Sequence, residues 1–64
     1  MPSSVIKRYL YDATKQELAV TFPSGKTYIY EDVPHDVFVA FGEAASRGAY
    51  FNDHIRDQYY HREL

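Results

Sequence analysis

Glu17-Leu18-Ala19-Val20-Thr21-Phe22-Pro23-Ser24-Gly25-Lys26-Thr27-Tyr28-Ile29-Tyr30-Glu31 is the stretch that decides the fold. Leu18, Val20 and Phe22 alternate with Ala19 and Thr21, the period-two signature of a half-buried strand. From Lys26 to Glu31, Tyr28 and Tyr30 alternate with Thr27 and Ile29 in the same way. Pro23-Ser24-Gly25 between them suits a three-residue hairpin loop. Pro23 pre-sets φ at the first turn position, and Gly25 accepts the left-handed conformation of a bulge. That loop sets Phe22 opposite Lys26, Val20 opposite Tyr28 and Leu18 opposite Tyr30, so both tyrosines share the core face. A two-residue turn at Ser24-Gly25 would shift the pairing and turn the tyrosines to the other face. The three-residue loop is the better fit.

Before the hairpin, Val5 to Tyr11 is rich in β-branched and aromatic residues and reads as a first strand, followed by the polar turn Asp12-Ala13-Thr14-Lys15-Gln16. After it, Asp32-Val33-Pro34 opens a helix, with Pro34 at the first helical position and Asp36 in the first turn, where its charge suits the macrodipole. Val37, Phe38, Phe41, Ala44 and Ala45 form one apolar stripe, and Gly48 is a good stop. A shorter helix follows, capped by Asn52 and carrying Ile55 and Tyr59 on one face. The expected fold is α+β: a three-stranded antiparallel β-meander, then a helix and a shorter C-terminal helix, packed on one face of the sheet.

The chain has 64 residues, room for a single domain spanning 1–64. Cysteine is absent, which excludes disulfides and thiolate metal sites. No apolar run is long enough for an export signal or a membrane span, so the cytoplasm is the expected location. Seven basic residues stand against nine acidic, a formal net charge of −2. Nucleic-acid binders usually carry a basic balance, so affinity for phosphate here needs a local cluster of cations. Aromatic residues make up 17% of the chain, an economical filling for so small a core.

Taken in order, Leu18-x-Val20-x-Phe22, Gly25, Tyr28-x-Tyr30, Val33-Pro34, Ala45-Ser46-x-Gly48-x-Tyr50-Phe51-Asn52, Ile55-Arg56 and Tyr59 resemble the KTSC domain. That family is named for the C-terminus of some lysyl-tRNA synthetases and also occurs as free-standing bacterial proteins. Tyr28-x-Tyr30 matches its central YxY motif. Tyr11-Asp12 looks like its early Tyr-Asp pair, with Leu10 where a smaller residue is expected. The likeness runs from about Ile6 to Tyr59. It implies a binding role, with RNA suggested by the synthetase association, which is an inference by association.

For RNA, the residues outside the expected core that suit base stacking and backbone contact are Arg47, Tyr50, Asn52, Arg56 and Tyr59. Lys26, or Lys7 and Arg8, would extend a basic patch there. The competing structural reading is that Gly48 stops one helix, Asn52 caps the next, and Tyr50 and Phe51 close the core. His54, Asp57 and His61 would share a face only if one helix ran through all three, and they read as a solvated polar face, with no metal site and no cofactor. No nucleophile elbow, phosphate-cradling glycine loop or cysteine nucleophile appears, so the chain reads as non-catalytic. The sheet face bearing Leu10, Ala19 and Ile29 is apolar for a solvent face, which makes a protein partner or a homodimer the alternative.

Overall fold

The computed structural model describes residues 6–64. Val5, the expected start of the first strand, lies outside the described residues. The order is β1 (Arg8–Asp12), β2 (Glu17–Thr21), β3 (Thr27–Tyr30), α1 (His35–Glu43), α2 (Arg47–His54) and β4 (His61–Glu63). The strands form one antiparallel sheet in the order β1-β2-β3-β4, so the α+β meander is present and gains a fourth, short strand at its edge.

The central hairpin has the expected register. Leu18 faces Tyr30 and Val20 faces Tyr28. The Phe22 amide donates to the Lys26 carbonyl at 2.9 Å, and the Gly25 amide donates to the Phe22 carbonyl at 2.8 Å. Gly25 has φ +95°, the left-handed conformation the three-residue loop requires. β1 pairs Tyr9 with Val20 and Tyr11 with Leu18, so both of its tyrosines join the same face. In the β1–β2 turn the Asp12 carboxylate accepts from the amides of Thr14 and Lys15 at 3.0 and 3.1 Å.

Both helices lie on that face. Leu18, Val20, Tyr30, Val33, Phe41, Phe51 and Ile55 form the core. α1 packs over β1, where Phe41 meets Tyr9 edge-on at 4.8 Å and Phe38 stacks on Tyr11 at 4.5 Å. α2 packs over β3, where Phe51 meets Tyr30 edge-on at 5.3 Å. Each side chain buried completely contributes roughly 1.5–3 kcal/mol, so these few residues carry most of the stability of so small a domain.

Helix boundaries differ from the expectation. Pro34 is the N-cap of α1, one residue before the first turn, and its carbonyl accepts from the Val37 and Phe38 amides. α1 ends at Glu43, so Ala44 is its cap and Ala45 lies beyond it, exposed. Gly48 does not stop a helix; it is buried inside α2. The cap of α2 is Ser46, whose hydroxyl accepts from the Ala49 amide at 3.2 Å, while Asn52 lies in the helix interior. The reason lies in packing. Phe51 and Ile55, four residues apart, are both buried, so the second helix must already be running at Phe51. It ends at His54, with Ile55 as cap, and Tyr59 lies in the connection to β4.

β4 folds back along β3. The Glu31 amide donates to the Tyr60 carbonyl and the Leu64 amide to the Thr27 carbonyl, each at 2.8 Å. On the face away from the helices, Arg62 bridges Glu31 at 3.0 Å and Glu17 at 3.4 Å. Among the described residues no helix is long and apolar enough to cross a membrane.

Candidate functional site

Two grooves open at the two ends of α2. The larger, about 550 Å³, lies between the C-terminal end of α2, the β2–β3 hairpin and β4. Its aromatic wall is made by Phe22, Tyr28, Tyr30 and Phe51. The alternation of β3 aims Tyr28 and Tyr30 at the helix side, and β4 sets His61 against both rings, at 5.7 and 5.1 Å. The polar rim is Lys26 from the hairpin, Asn52 from α2, and Arg56 and Asp57 from the turn after it. Burial pushes the Tyr30 phenol above its ordinary pKa of 10.0; the Arg56 cation opposes this, and Tyr28 and Asp57 add to it.

The smaller groove, about 330 Å³, lies at the N-terminal end of α2 and carries Lys7, Arg8 and Arg47. Arg47 is also tied into the fold. Its guanidinium donates to the Gly42 carbonyl at 3.1 Å and lies over the Tyr9 ring, 5.5 Å from the centroid.

Asn52 and Arg56 therefore share a groove with Lys26, while Arg47 stands in the other with Lys7 and Arg8. Tyr50 packs on His54 at 4.4 Å and on Phe41, and Tyr59 lies half-buried against the core. His54, Asp57 and His61 fall on a helix end, a turn and a strand, not on one helix face. Among the described residues no group of three such side chains is placed to hold a metal ion. Sequence reasoning missed Tyr28, His61 and Asp57 as groove residues. The polar run His61-Arg62-Glu63 carries no hydrophobic alternation that would mark the strand bringing His61 in.

A four-stranded antiparallel sheet with two short helices on one face, and a groove at each end of the second helix, defines a small α+β domain. The family model for the KTSC domain matches residues 2–59, and the chain belongs to the KTSC domain family. A crystal structure of a KTSC domain protein from Yersinia pestis superposes with a TM-score of 0.92 at 30% identity, covering 100% of this chain and 90% of that one. An uncharacterized protein of Stutzerimonas stutzeri is 42% identical over 60 residues, 94% of this chain and 84% of that protein. A lysine–tRNA ligase of Nostoc sp. (strain PCC 7120) is 39% identical over 61 residues, which are 95% of this chain. The chain spans only 11% of the length of that ligase.

Proposed function

We propose that the domain is a non-catalytic module that binds single-stranded RNA along α2, with tRNA the leading candidate. One observation carries this reading: the placement of charge. Five of the seven Lys and Arg residues line the two grooves, Lys7, Arg8 and Arg47 at one end and Lys26 and Arg56 at the other. Of the nine acidic residues only Asp57 lines either groove. A chain of net charge −2 thus concentrates its cations where a phosphate backbone would run. The larger groove adds Tyr28 and His61 as surfaces on which an unpaired base can stack. The relationship to a region of lysine–tRNA ligases supports tRNA as the source of the strand.

The test is an NMR titration of the labelled domain with mixed tRNA at low and at physiological salt. Saturating shifts at Lys7, Arg8 and Arg47 together with Lys26 and Arg56 support the reading. For a single strand the logarithm of affinity then falls with log salt at a slope of about −3.5 if all five cations engage phosphates. A spectrum unchanged at low salt overturns it.

A second reading rests on the opposite sheet face. Leu10 and Leu64 are 73% and 79% exposed there, beside half-buried Ala19 and Ile29, and among the described residues no helix covers them. If this face joins two copies, sedimentation shows a dimer that Ile29→Lys dissociates without unfolding. A strict monomer at millimolar concentration removes this reading.

A further inference from the structure

Asp57 is the one feature of the larger groove that phosphate binding leaves unexplained. A carboxylate on the rim of a phosphate site repels the ligand unless it has its own partner to receive. Among the described residues Asp57 forms no ion pair; the salt bridges present join Arg62 to Glu17 and Glu31. In the same groove Tyr30 is only 3% exposed, yet its hydroxyl has no hydrogen-bond partner among the described residues. No fully buried side-chain oxygen or nitrogen is left without a partner, so the accessible remnant of Tyr30 includes that hydroxyl, on the groove wall. Arg56 and Asp57 line the same groove as Tyr30. An accessible phenol hydroxyl without a partner and an unpaired carboxylate, both lining one groove, together offer a hydrogen-bonding edge.

We infer that the larger groove selects an unpaired guanine, with Asp57 and the Tyr30 hydroxyl reading its Watson–Crick edge while Lys26 and Arg56 hold the adjoining phosphates. The inference rests on the nucleic-acid reading above and names what that site prefers. An ionised carboxylate only accepts, through two oxygens side by side. Guanine alone among the four bases offers two adjacent donors, N1–H and the N2 amino group. Adenine, cytosine and uracil each set a lone pair beside their donor, and that lone pair would face the carboxylate. Beyond N1, guanine presents O6, an acceptor that the Tyr30 hydroxyl can donate to. The base plane then rests against Tyr28 or His61. A volume of about 550 Å³ suits one nucleotide rather than a duplex.

The experiment compares four RNA hexamers, UUUGUU, UUUAUU, UUUCUU and UUUUUU, by fluorescence anisotropy at low salt, with wild type and Asp57→Asn. The expected result is tighter binding of the guanine hexamer by roughly tenfold or more in the wild type. Asp57→Asn, which replaces one acceptor oxygen by a donor, abolishes that preference and leaves the melting temperature unchanged, since Asp57 is exposed and unpaired. Equal binding of all four, or a preference that survives in Asp57→Asn, overturns the guanine inference and leaves the RNA reading standing. No binding of any hexamer overturns both. Guanosine monophosphate run in parallel separates the two sources of this chemistry. Weaker binding than the guanine hexamer assigns the base to a strand. Equal affinity assigns it to a free nucleotide, and the strand reading then falls while the guanine site stands.

Discussion

The Tyr11 hydroxyl donates to the Val33 carbonyl at 2.6 Å and ties the edge strand β1 to the loop that launches α1. The Val33 amide is held as well, donating to the Gln16 carbonyl at 2.9 Å, and the Val33 side chain is wholly buried. The entry to α1 is thus pinned on both sides of one residue, although Asp32 beside it adopts φ +59°. Tyr11→Phe removes only the hydroxyl and keeps the ring stacked on Phe38. The expected loss is about 1 kcal/mol, a fall in melting temperature of about 4–8 °C for a domain of this size. Thermal unfolding followed by circular dichroism checks it, and an unchanged midpoint would show that water replaces the bond without loss.

Gly25 is the second local determinant. A Cβ built there meets nothing within 4 Å, so the only penalty for a side chain is its φ of +95°. Gly25→Ala should cost about 1 kcal/mol, and Gly25→Asn, which tolerates left-handed backbone better, less than that. Denaturant midpoints for the two variants give the order. If alanine and asparagine are equally mild, the bulge relaxes into another turn.

The hairpin was legible because Leu18, Val20, Tyr28 and Tyr30 alternate on both sides of a loop whose Pro and Gly allow one good register. The second helix was legible as an element but not in its limits. Ser46 and Asn52 are both competent caps by residue type, and only the joint burial of Phe51 and Ile55 decides for Ser46. β4 was not legible. It has three exposed residues, His61, Arg62 and Glu63, and such polar edge strands carry no hydrophobic pattern. The family likeness gave no help either, since it ends at Tyr59. Because β4 brings His61 to the larger groove, the site could be read only in part. Asn52 and Arg56 were visible as exposed polar residues near an aromatic. Tyr28 and Tyr30 were counted as core; Tyr30 is buried there, while Tyr28 is only partly buried against it, on the side where the core opens.

Arg47 and Arg56 should respond differently to truncation. Arg47 holds the Gly42 carbonyl and covers the Tyr9 ring, joining the two helices to β1. Arg47→Ala is expected to lower stability by about 0.5–1 kcal/mol through lost packing and lost cation–π contact. Arg56 is exposed and makes no salt bridge among the described residues. Arg56→Ala should therefore leave the melting temperature within error while weakening RNA binding and making its salt slope shallower by about 0.7. Measuring melting and binding on both variants separates the roles. A loss of affinity in Arg56→Ala that merely tracks a loss of folding would sink the groove as a binding site.

Tyr30 predicts how stability changes in base. Burial raises its phenol above 10.0, with Asp57 and Tyr28 adding to the rise and Arg56 opposing it. The charged form is the deprotonated one, so a raised folded-state pKa means that the unfolded chain releases this proton first. The contribution is complete below the unfolded value of 10.0 and is lost as pH rises through the folded value. Tyr11 is shifted in the same direction, by burial first and then by Asp36 and Asp12, and acts in the same window. Melting temperature should hold steady up to about pH 9 and decline by about pH 11. In Tyr30→Phe the decline should be smaller, since that variant keeps the ring and has no proton to lose. The absorbance of tyrosinate, followed in the native state, should show two late-titrating tyrosines, of which one is missing from Tyr30→Phe. Parallel declines in the two proteins would mean that the Tyr30 hydroxyl ionises freely from the groove, and that its shift is too small to matter for folding.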